Sequence, residues 1–216
     1  MFGVQSIVFR KFLKFEMPDY FLFLLGGLLP WIFFTSTIQM GTPVFVQQAQ
    51  LLRSFKINPW VVLGSQVLDS FINFTASFIL IMLPFYFNSD KPLISLLLLP
   101  VALLPLLLGT LSITIILSVL NVFYRDINFV MGFIFSLVFF LTPIFYPADY
   151  VPEEYKWMII VNPVNYFIEP FRTIIHTSNF EGFTLIMLKS FGVALIFIVL
   201  AIIIWKRKQN DFYRKL

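Results

Sequence analysis

The sequence predicts an all-α integral membrane protein with about five full transmembrane helices, a truncated first span, and two short re-entrant or interfacial helices before the last span. Apolar blocks of about twenty residues recur along the chain, and a helix of that length crosses a hydrocarbon core of about 30 Å. Hydrophobic residues make up 59% of the 216 residues and charged residues 12%, whereas a soluble domain is about a quarter charged. In lipid, a helix satisfies its backbone polar groups within one segment, so helices are the expected spanning elements.

Five apolar blocks are long enough to cross a bilayer, and they define the predicted spans. These blocks cover residues 21–40, 61–87, 93–120, 127–146 and 183–205. In the first block, Gly26, Gly27 and Pro30 favour close helix contact or a bend. In the third block, Pro100 and Pro105 are expected to bend the helix, because a proline in a helix interior removes a backbone hydrogen bond.

Between the fourth and fifth blocks, two apolar patches are too short to cross a bilayer. They cover residues 157–161 and 166–175. Pro152, followed by two glutamates, is typical of a helix start, and Asn162 with Pro163 is expected to end that helix. Two short helices in the outer interface, or dipping into the membrane, would keep these patches from water. The alternative is an ordinary external loop.

The two ends of the chain bear on its orientation. The tail that begins at Lys206 is densely basic, which predicts a cytoplasmic C-terminus by the positive-inside rule. With five spans the N-terminus would then lie outside, and the odd number of spans predicts that a first span is truncated at Met1.

The composition excludes several functions. The chain has no cysteine and a single histidine, His176, which leaves neither thiolate nor histidine clusters for a metal. Its acidic residues are scattered, so no catalytic cluster is evident. Nothing matches the phosphate-binding pattern G-x-x-x-x-G-K-[ST]. We expect a protein that is not an enzyme and that has no cofactor and no nucleic-acid partner.

Asp69 is an acidic residue within the second predicted span. It shares a polar stretch with Ser65, Gln66, Ser70 and Asn73. Ionisable residues inside spans often line a transport pathway or couple transport to ions. The alternative is an acid near the cytoplasmic end of the span that reaches water or a neighbouring helix.

The loop after the first span has an amphipathic pattern. Apolar Leu51, Leu52 and Phe55 alternate with basic Arg53 and Lys56. A short helix with this pattern could dock an ATPase subunit on the cytoplasmic side. By pattern alone, the segment could equally be a basic interfacial loop.

Four motifs occur in order along the chain. They are Gly27-Leu-Leu-Pro-Trp-Ile-Phe-Phe34, Leu120-Asn-Val-Phe-Tyr-Arg-Asp-Ile127, Leu141-Thr-Pro-Ile-Phe-Tyr-Pro147 and Asn162-Pro-Val-Asn-Tyr-Phe-Ile-Glu-Pro-Phe-Arg172. At these motifs the chain resembles the membrane subunit of type-2 ABC exporters (ABC-2 type), in the branch that exports polysaccharides such as O-antigen, capsule or teichoic acid. The resemblance covers nearly the whole chain, and four motifs in register are far more specific than any one of them.

The resemblance implies a single ABC-2 type transmembrane domain over residues 1–216. It implies a permease that moves a lipid-linked polysaccharide across the bacterial plasma (inner) membrane, as a homodimer with separate ABC ATPase subunits that bind the ATP. Family members usually begin with an amphipathic interface helix and a complete first span, so the resemblance implies that residues 2–14 are only the end of that span and that Arg10 and Lys14 lie outside. Two alternatives stay open: the same fold exporting a drug or a lipid, and a membrane scaffold or non-functional fragment.

The exporter hypothesis gives roles to particular residues. The ATPase-coupling residues would be Leu51, Arg53, Phe55, Lys56, Arg125 and Asp126. The short helices before the last span would form an external gate that contains Pro152, Trp157, Tyr166, Glu169 and Arg172.

A stripe on the fourth span is a candidate translocation pathway. Phe129, Phe133, Ser136 and Phe140 recur at helical spacing and therefore share one helix face. In a two-fold pair that encloses a channel, such a face could pack against sugar C–H groups. The alternative is a stripe that faces lipid or another helix.

Overall fold

The computed structural model describes residues 19–55, 57–87, 92–177 and 181–216. Its regular elements are helical, and the described residues contain no strand, which confirms the all-α prediction. Four helical stretches are long and apolar enough to cross a membrane: Tyr20–Gln47, Pro59–Phe87, Ile94–Phe123 and Phe183–Lys215. The predicted truncated span at residues 2–14 lies outside the described residues.

Nine α-helices are described, and we number them in chain order. They are α1 (Tyr20–Gly41), α2 (Val44–Gln47), α3 (Ala49–Phe55), α4 (Pro59–Phe87), α5 (Leu99–Phe123), α6 (Ile127–Leu141), α7 (Lys156–Val161), α8 (Pro163–Arg172) and α9 (Phe183–Lys215). Short 3-10 turns precede α5 and α7, and a π-helical turn, Thr173–Thr177, follows α8.

Helix α1 lies at the centre of the bundle. It packs against α4, α5 and α8, and its side chains are buried on nearly every side. A helix that is apolar all round is expected to be buried in this way. The outward faces of α4 and α9 carry large exposed apolar side chains such as Leu80 and Leu188, as expected for surfaces in contact with lipid.

Helix α6 is shorter than predicted. It ends at Leu141, whereas the apolar block suggested a span to residue 146. The cause is Pro143, because the residue before a proline disfavours helical geometry, and Thr142 is extended with φ −90° and ψ 126°. With 15 residues, α6 is about 22 Å long.

Pro100, where a bend was predicted, lies at the junction between a 3-10 turn and α5. Helix α5 begins at Leu99, after the 3-10 turn Leu93–Leu98, so Pro100 occupies its first turn. A proline there costs no hydrogen bond, because the first N–H groups of a helix have no intrahelical partner. Only Pro105 lies inside the helix.

A second apolar core closes one end of the bundle. It joins α2 and α3 to the start of α4 and the ends of α5 and α9 through Val44, Phe45, Leu52, Leu63, Val119, Val122, Phe212 and Leu216. Phe45 and Phe212 meet edge to face with ring centroids 5.2 Å apart. We call this the C-terminal end of the bundle; α7 and α8 lie at the opposite end.

Candidate functional site

Arg172, the last residue of α8, holds the connector that follows α6. Its Nη2 donates to the carbonyl of Ile144 at 3.0 Å and also to the carbonyl of Pro143. The guanidinium lies 4.4 Å from the centroid of the Phe23 ring, a cation–π contact. Because Pro143 and Ile144 have left the helix, a side-chain donor replaces the helical N–H groups that their carbonyls lack.

Two more side chains bind the same connector. The Nδ2 of Asn162 donates to Thr142 Oγ1 at 2.7 Å, and the hydroxyl of Tyr20 donates to the carbonyl of Phe145 at 2.9 Å. Asn162 Oδ1 also accepts from the N–H of Val164 at 3.0 Å, which caps the start of α8. We call the bonds from Tyr20, Asn162 and Arg172 to residues 142–145 the connector clamp.

Gly27 of α1 makes room for the clamp. A Cβ at this position would lie 2.7 Å from Arg172 Nη2, which is closer than real contacts allow. A glycine therefore lets the guanidinium pass close to the α1 backbone. The close helix contact predicted for Gly26 and Gly27 is confirmed, since Gly26 also faces Arg172.

Helix α8 is wedged into the bundle between α1, α5 and α9. Phe167, Ile168 and Phe171 are fully buried. At Gly109 of α5, a Cβ would lie 2.2 Å from the Phe167 ring, so the absence of a side chain lets α5 and α8 touch. The predicted short helices are therefore present, and the second is packed among the spanning helices.

A hydroxyl from α9 completes the hydrogen bonding of α8. Pro170 has no N–H, so the carbonyl of Tyr166, four residues earlier, lacks its helical donor. Ser190 Oγ of α9 donates to that carbonyl. The phenol of Tyr166 donates to the carbonyl of Ile160 at 2.9 Å, which joins α8 to α7.

The predicted gate residues are thus divided between the surface and the interior. Pro152 and Trp157 are exposed. Tyr166 and Glu169 are half-buried on α8, and Arg172 belongs to the clamp. The sequence analysis missed Tyr20, Asn162 and Ser190 as partners in this region, although Pro170 signalled that the Tyr166 carbonyl would need a donor.

The predicted coupling residues lie at the C-terminal end of the bundle. On α3, Leu52 is fully buried, whereas Phe55 is 73% exposed and Arg53 is also exposed. Leu51 is more exposed than Leu52. One side of α3 therefore lies in the core, and the other side lies on the surface. Lys56 lies outside the described residues.

The turn between α5 and α6 exposes Arg125 and Asp126 at the same end. The basic tail of α9 packs against this region, because Phe212 is fully buried against Phe45. Lys208 Nζ lies 4.7 Å from the centroid of Phe123, just before the turn. The exposed side of α3 and this turn together offer apolar and charged groups to a docking partner.

The predicted pathway stripe forms an exposed face of α6. Phe129, Phe133 and Phe140 are 81%, 67% and 76% exposed, and Ser136 is exposed beside them. Phe135, off the stripe, is buried and lies 6.1 Å from the Phe34 ring. The structure thus brings the four stripe residues to one face that is open to lipid, a second chain or a ligand.

In the part of the chain that the structure describes, no group of three or more His, Cys, Asp or Glu side chains could hold a metal ion. The two ends of the bundle differ: one holds the connector clamp, and the other exposes one side of α3 and the turn at Arg125 and Asp126.

The chain is similar to known membrane proteins over most of its length. The family described as ABC-2 type transporter matches residues 2–176. Two O-antigen export system permease proteins RfbA of Klebsiella pneumoniae are similar to the chain. One is 26% identical over 196 residues, which is 89% of this chain and 76% of the relative. The other is 27% identical over 181 residues, or 82% of this chain and 70% of the relative.

A relative from another organism covers more of the chain. The O-antigen export system permease protein RfbA of Myxococcus xanthus is 26% identical over 211 residues, which is 97% of this chain and 81% of the relative. The similarity therefore includes the α1 core, both ends of the bundle and the last helix.

Proposed function

The chain belongs to the ABC-2 type transporter family, and on this premise we propose that it is the membrane permease subunit of an ATP-driven exporter of a lipid-linked polysaccharide. The observation that carries the proposal is the similarity to O-antigen export permeases over 82–97% of the chain. An apolar bundle with four candidate spans suits a multi-pass protein of the bacterial inner membrane.

The energy source is a separate ABC ATPase subunit. The sequence has no phosphate-binding loop of its own. In this proposal the ATPase docks on the exposed side of α3, at Leu51, Arg53 and Phe55, and on the turn at Arg125 and Asp126. The basic tail of α9 favours a cytoplasmic location for this end.

The bundle offers a physical route from the docking surface to the opposite end. Helix α9 has 33 residues and is therefore about 50 Å long. At one end Phe212 packs on Phe45 beside α3, and at the other Ser190 binds the Tyr166 carbonyl of α8. Movement of α3 on ATP-driven closure would shift α9, and with it α8, between packed states.

Two copies of the chain would enclose the pathway. Helix α1 fills the centre of the bundle, which leaves no wide channel among the described helices of one copy. A two-fold pair can place the same face of each subunit around a shared axis. In the proposed dimer, the α6 stripe of Phe129, Phe133, Ser136 and Phe140 faces that axis, and α7 with α8 closes the outer end.

Complementation tests the proposal. The chain and its ATPase are expressed in a strain that lacks its O-antigen exporter but makes the lipid-linked polysaccharide, and surface polysaccharide is measured. We expect export with the active ATPase and none with an ATPase whose ATP-binding lysine is replaced. Normal membrane insertion and ATPase binding without surface polysaccharide would contradict the assignment and favour a drug or lipid as cargo.

A further inference from the structure

A polar track runs along the middle of α4. Asp69, Asn73 and Ser77 follow at intervals of four residues, so they share one face of the helix. Across from them lies Ser36 of α1, and the two helices enclose a groove of about 200 Å³. Phe33 and Phe74, buried side chains with ring centroids 4.9 Å apart, lie in the same lining.

The track is placed where polar groups are costly. Asp69 is about 15 Å along α4 from Pro59, at 1.5 Å per residue, and Ser77 is about 12 Å further. A carboxylate at this depth is unfavourable against hydrocarbon, so intramembrane acids usually face a polar partner or a water-filled cavity. Asp69 and Asn73 are nevertheless exposed at the groove.

The side chains in the groove retain capacity for hydrogen bonds. Asn73 Nδ2 donates to Asp69 Oδ2 at 3.4 Å, yet a carboxylate has about four acceptor sites, and an amide has two N–H donors and an acceptor oxygen. Ser36 donates to its own helix at the Phe33 carbonyl, 3.3 Å away, which leaves its oxygen to accept. The groove thus offers both donors and acceptors beside aromatic rings.

We propose that this groove between α1 and α4 is a contact site for sugar hydroxyl groups of the polysaccharide, a proposal that rests on the proposed export function. Sugar hydroxyls donate hydrogen bonds to Asp69 and accept them from the Asn73 amide. They also form hydrogen bonds with the hydroxyls of Ser36 and Ser77. The C–H faces of a sugar pack on apolar rings such as Phe33 and Phe74. A row of small polar groups with one weak bond each holds a repeating chain without fixing its register.

Thiol labelling tests whether the groove is wet and whether glycan fills it. The chain has no cysteine, so Asn73→Cys and Ser77→Cys introduce unique thiols, and Ile72→Cys and Leu68→Cys on the lipid side of α4 serve as matched controls. Each variant is assembled with the ATPase in membranes and treated with a charged methanethiosulfonate. We expect reaction at 73 and 77 but not at 68 and 72, and slower reaction at 73 and 77 after lipid-linked polysaccharide is loaded.

Two variants of Asp69 test the chemistry. Asp69→Asn keeps hydrogen-bonding groups of the same size and should export at close to the wild-type rate. Asp69→Leu removes them and should lower export about fivefold to tenfold, as expected for the loss of one hydrogen bond, with ATPase binding unchanged. Equal export by both variants would overturn the proposal.

The labelling outcomes distinguish failure of the glycan site from failure of the export function. Lack of reaction at 73 would mean that lipid or another protein segment closes the groove, and unprotected reaction would mean that water alone fills it. Either result overturns the glycan site if the wild-type chain exports polysaccharide. Failure of the wild-type chain itself to export would refute the proposed function, and this proposal with it.

Discussion

Ser190 of α9 donates a hydrogen bond to the carbonyl of Tyr166, the acceptor that Pro170 deprives of its helical partner. One hydroxyl from a spanning helix therefore replaces a missing N–H inside α8. The bond fixes α8 to the long helix α9, whose other end packs on Phe45 through Phe212.

We predict that Ser190→Ala will destabilise the protein by about 1 kcal/mol, because it leaves a partly buried carbonyl without a donor. Thermal unfolding in detergent measures the loss. The matched variant is Pro170→Ala, which restores the N–H that Tyr166 lacks. In the double variant the Ser190 substitution should cost much less, and strictly additive effects would show that the two residues do not share this carbonyl.

We predict that Gly109→Ala will push α8 away from α5, because the added Cβ would lie 2.2 Å from the buried ring of Phe167. Overpacking of this kind costs about 1 to 3 kcal/mol. Gly192→Ala in α9 is the control, since a Cβ there has no neighbour within 4 Å and alanine favours a helix. Unfolding in detergent should show a lower Tm for Gly109→Ala alone.

We predict that Arg172→Met will loosen the connector clamp, because the carbonyls of Pro143 and Ile144 lose their donor. Tyr20→Phe removes a single bond, to Phe145, and should cost about 0.5 to 1.5 kcal/mol, less than Arg172→Met. Thermal unfolding ranks the two variants. Equal Tm values for Arg172→Met and the wild type would mean that the guanidinium does not hold the connector.

Several elements of the fold could be predicted from local sequence. Long apolar runs located α1, α4, α5 and α9, because a span needs only length and the absence of charge. Pro152 and Asn162 marked the short helices before the last span. Helix-end signals of this kind depend only on a few neighbouring residues. The end of α6 was placed too late, because the apolar run through Ile144 outweighed the effect of Pro143 on Thr142.

The connector clamp could not be predicted in the same way. Tyr20 and Phe145 are 125 residues apart in sequence, and no local pattern pairs a phenol with a particular carbonyl. Helix α1 is apolar all round, so its sequence gives no preferred face from which to infer its neighbours. Three of the four family motifs did mark the right segments, because Gly27, Ile144 and Arg172 meet at the clamp.

We predict that residue 149 is external and residue 209 is cytoplasmic. Both Asp149 and Gln209 are exposed, and the basic tail favours the cytoplasmic side. In the cysteine-free chain, Asp149→Cys should react with a membrane-impermeant maleimide in intact cells, whereas Gln209→Cys should react only after the cells are permeabilised. Labelling of 209 alone in intact cells would invert the orientation.

We predict that Phe55→Asp will detach the ATPase subunit and leave the bundle intact. Phe55 is 73% exposed on α3, while its neighbour Leu52 anchors that helix in the core, so a charge at position 55 disturbs the docking surface and not the packing.

Tyr150→Asp is the control, because Tyr150 is a similarly exposed aromatic residue, 64%, at the opposite end. We expect co-purification of the ATPase to fall at least about tenfold for Phe55→Asp, as for the loss of an anchor residue, and to be normal for Tyr150→Asp. Membrane insertion should be unchanged in both variants, and the Tm of Phe55→Asp should equal that of the wild type. Wild-type recovery of the ATPase with Phe55→Asp, together with normal export, would remove α3 from the docking surface.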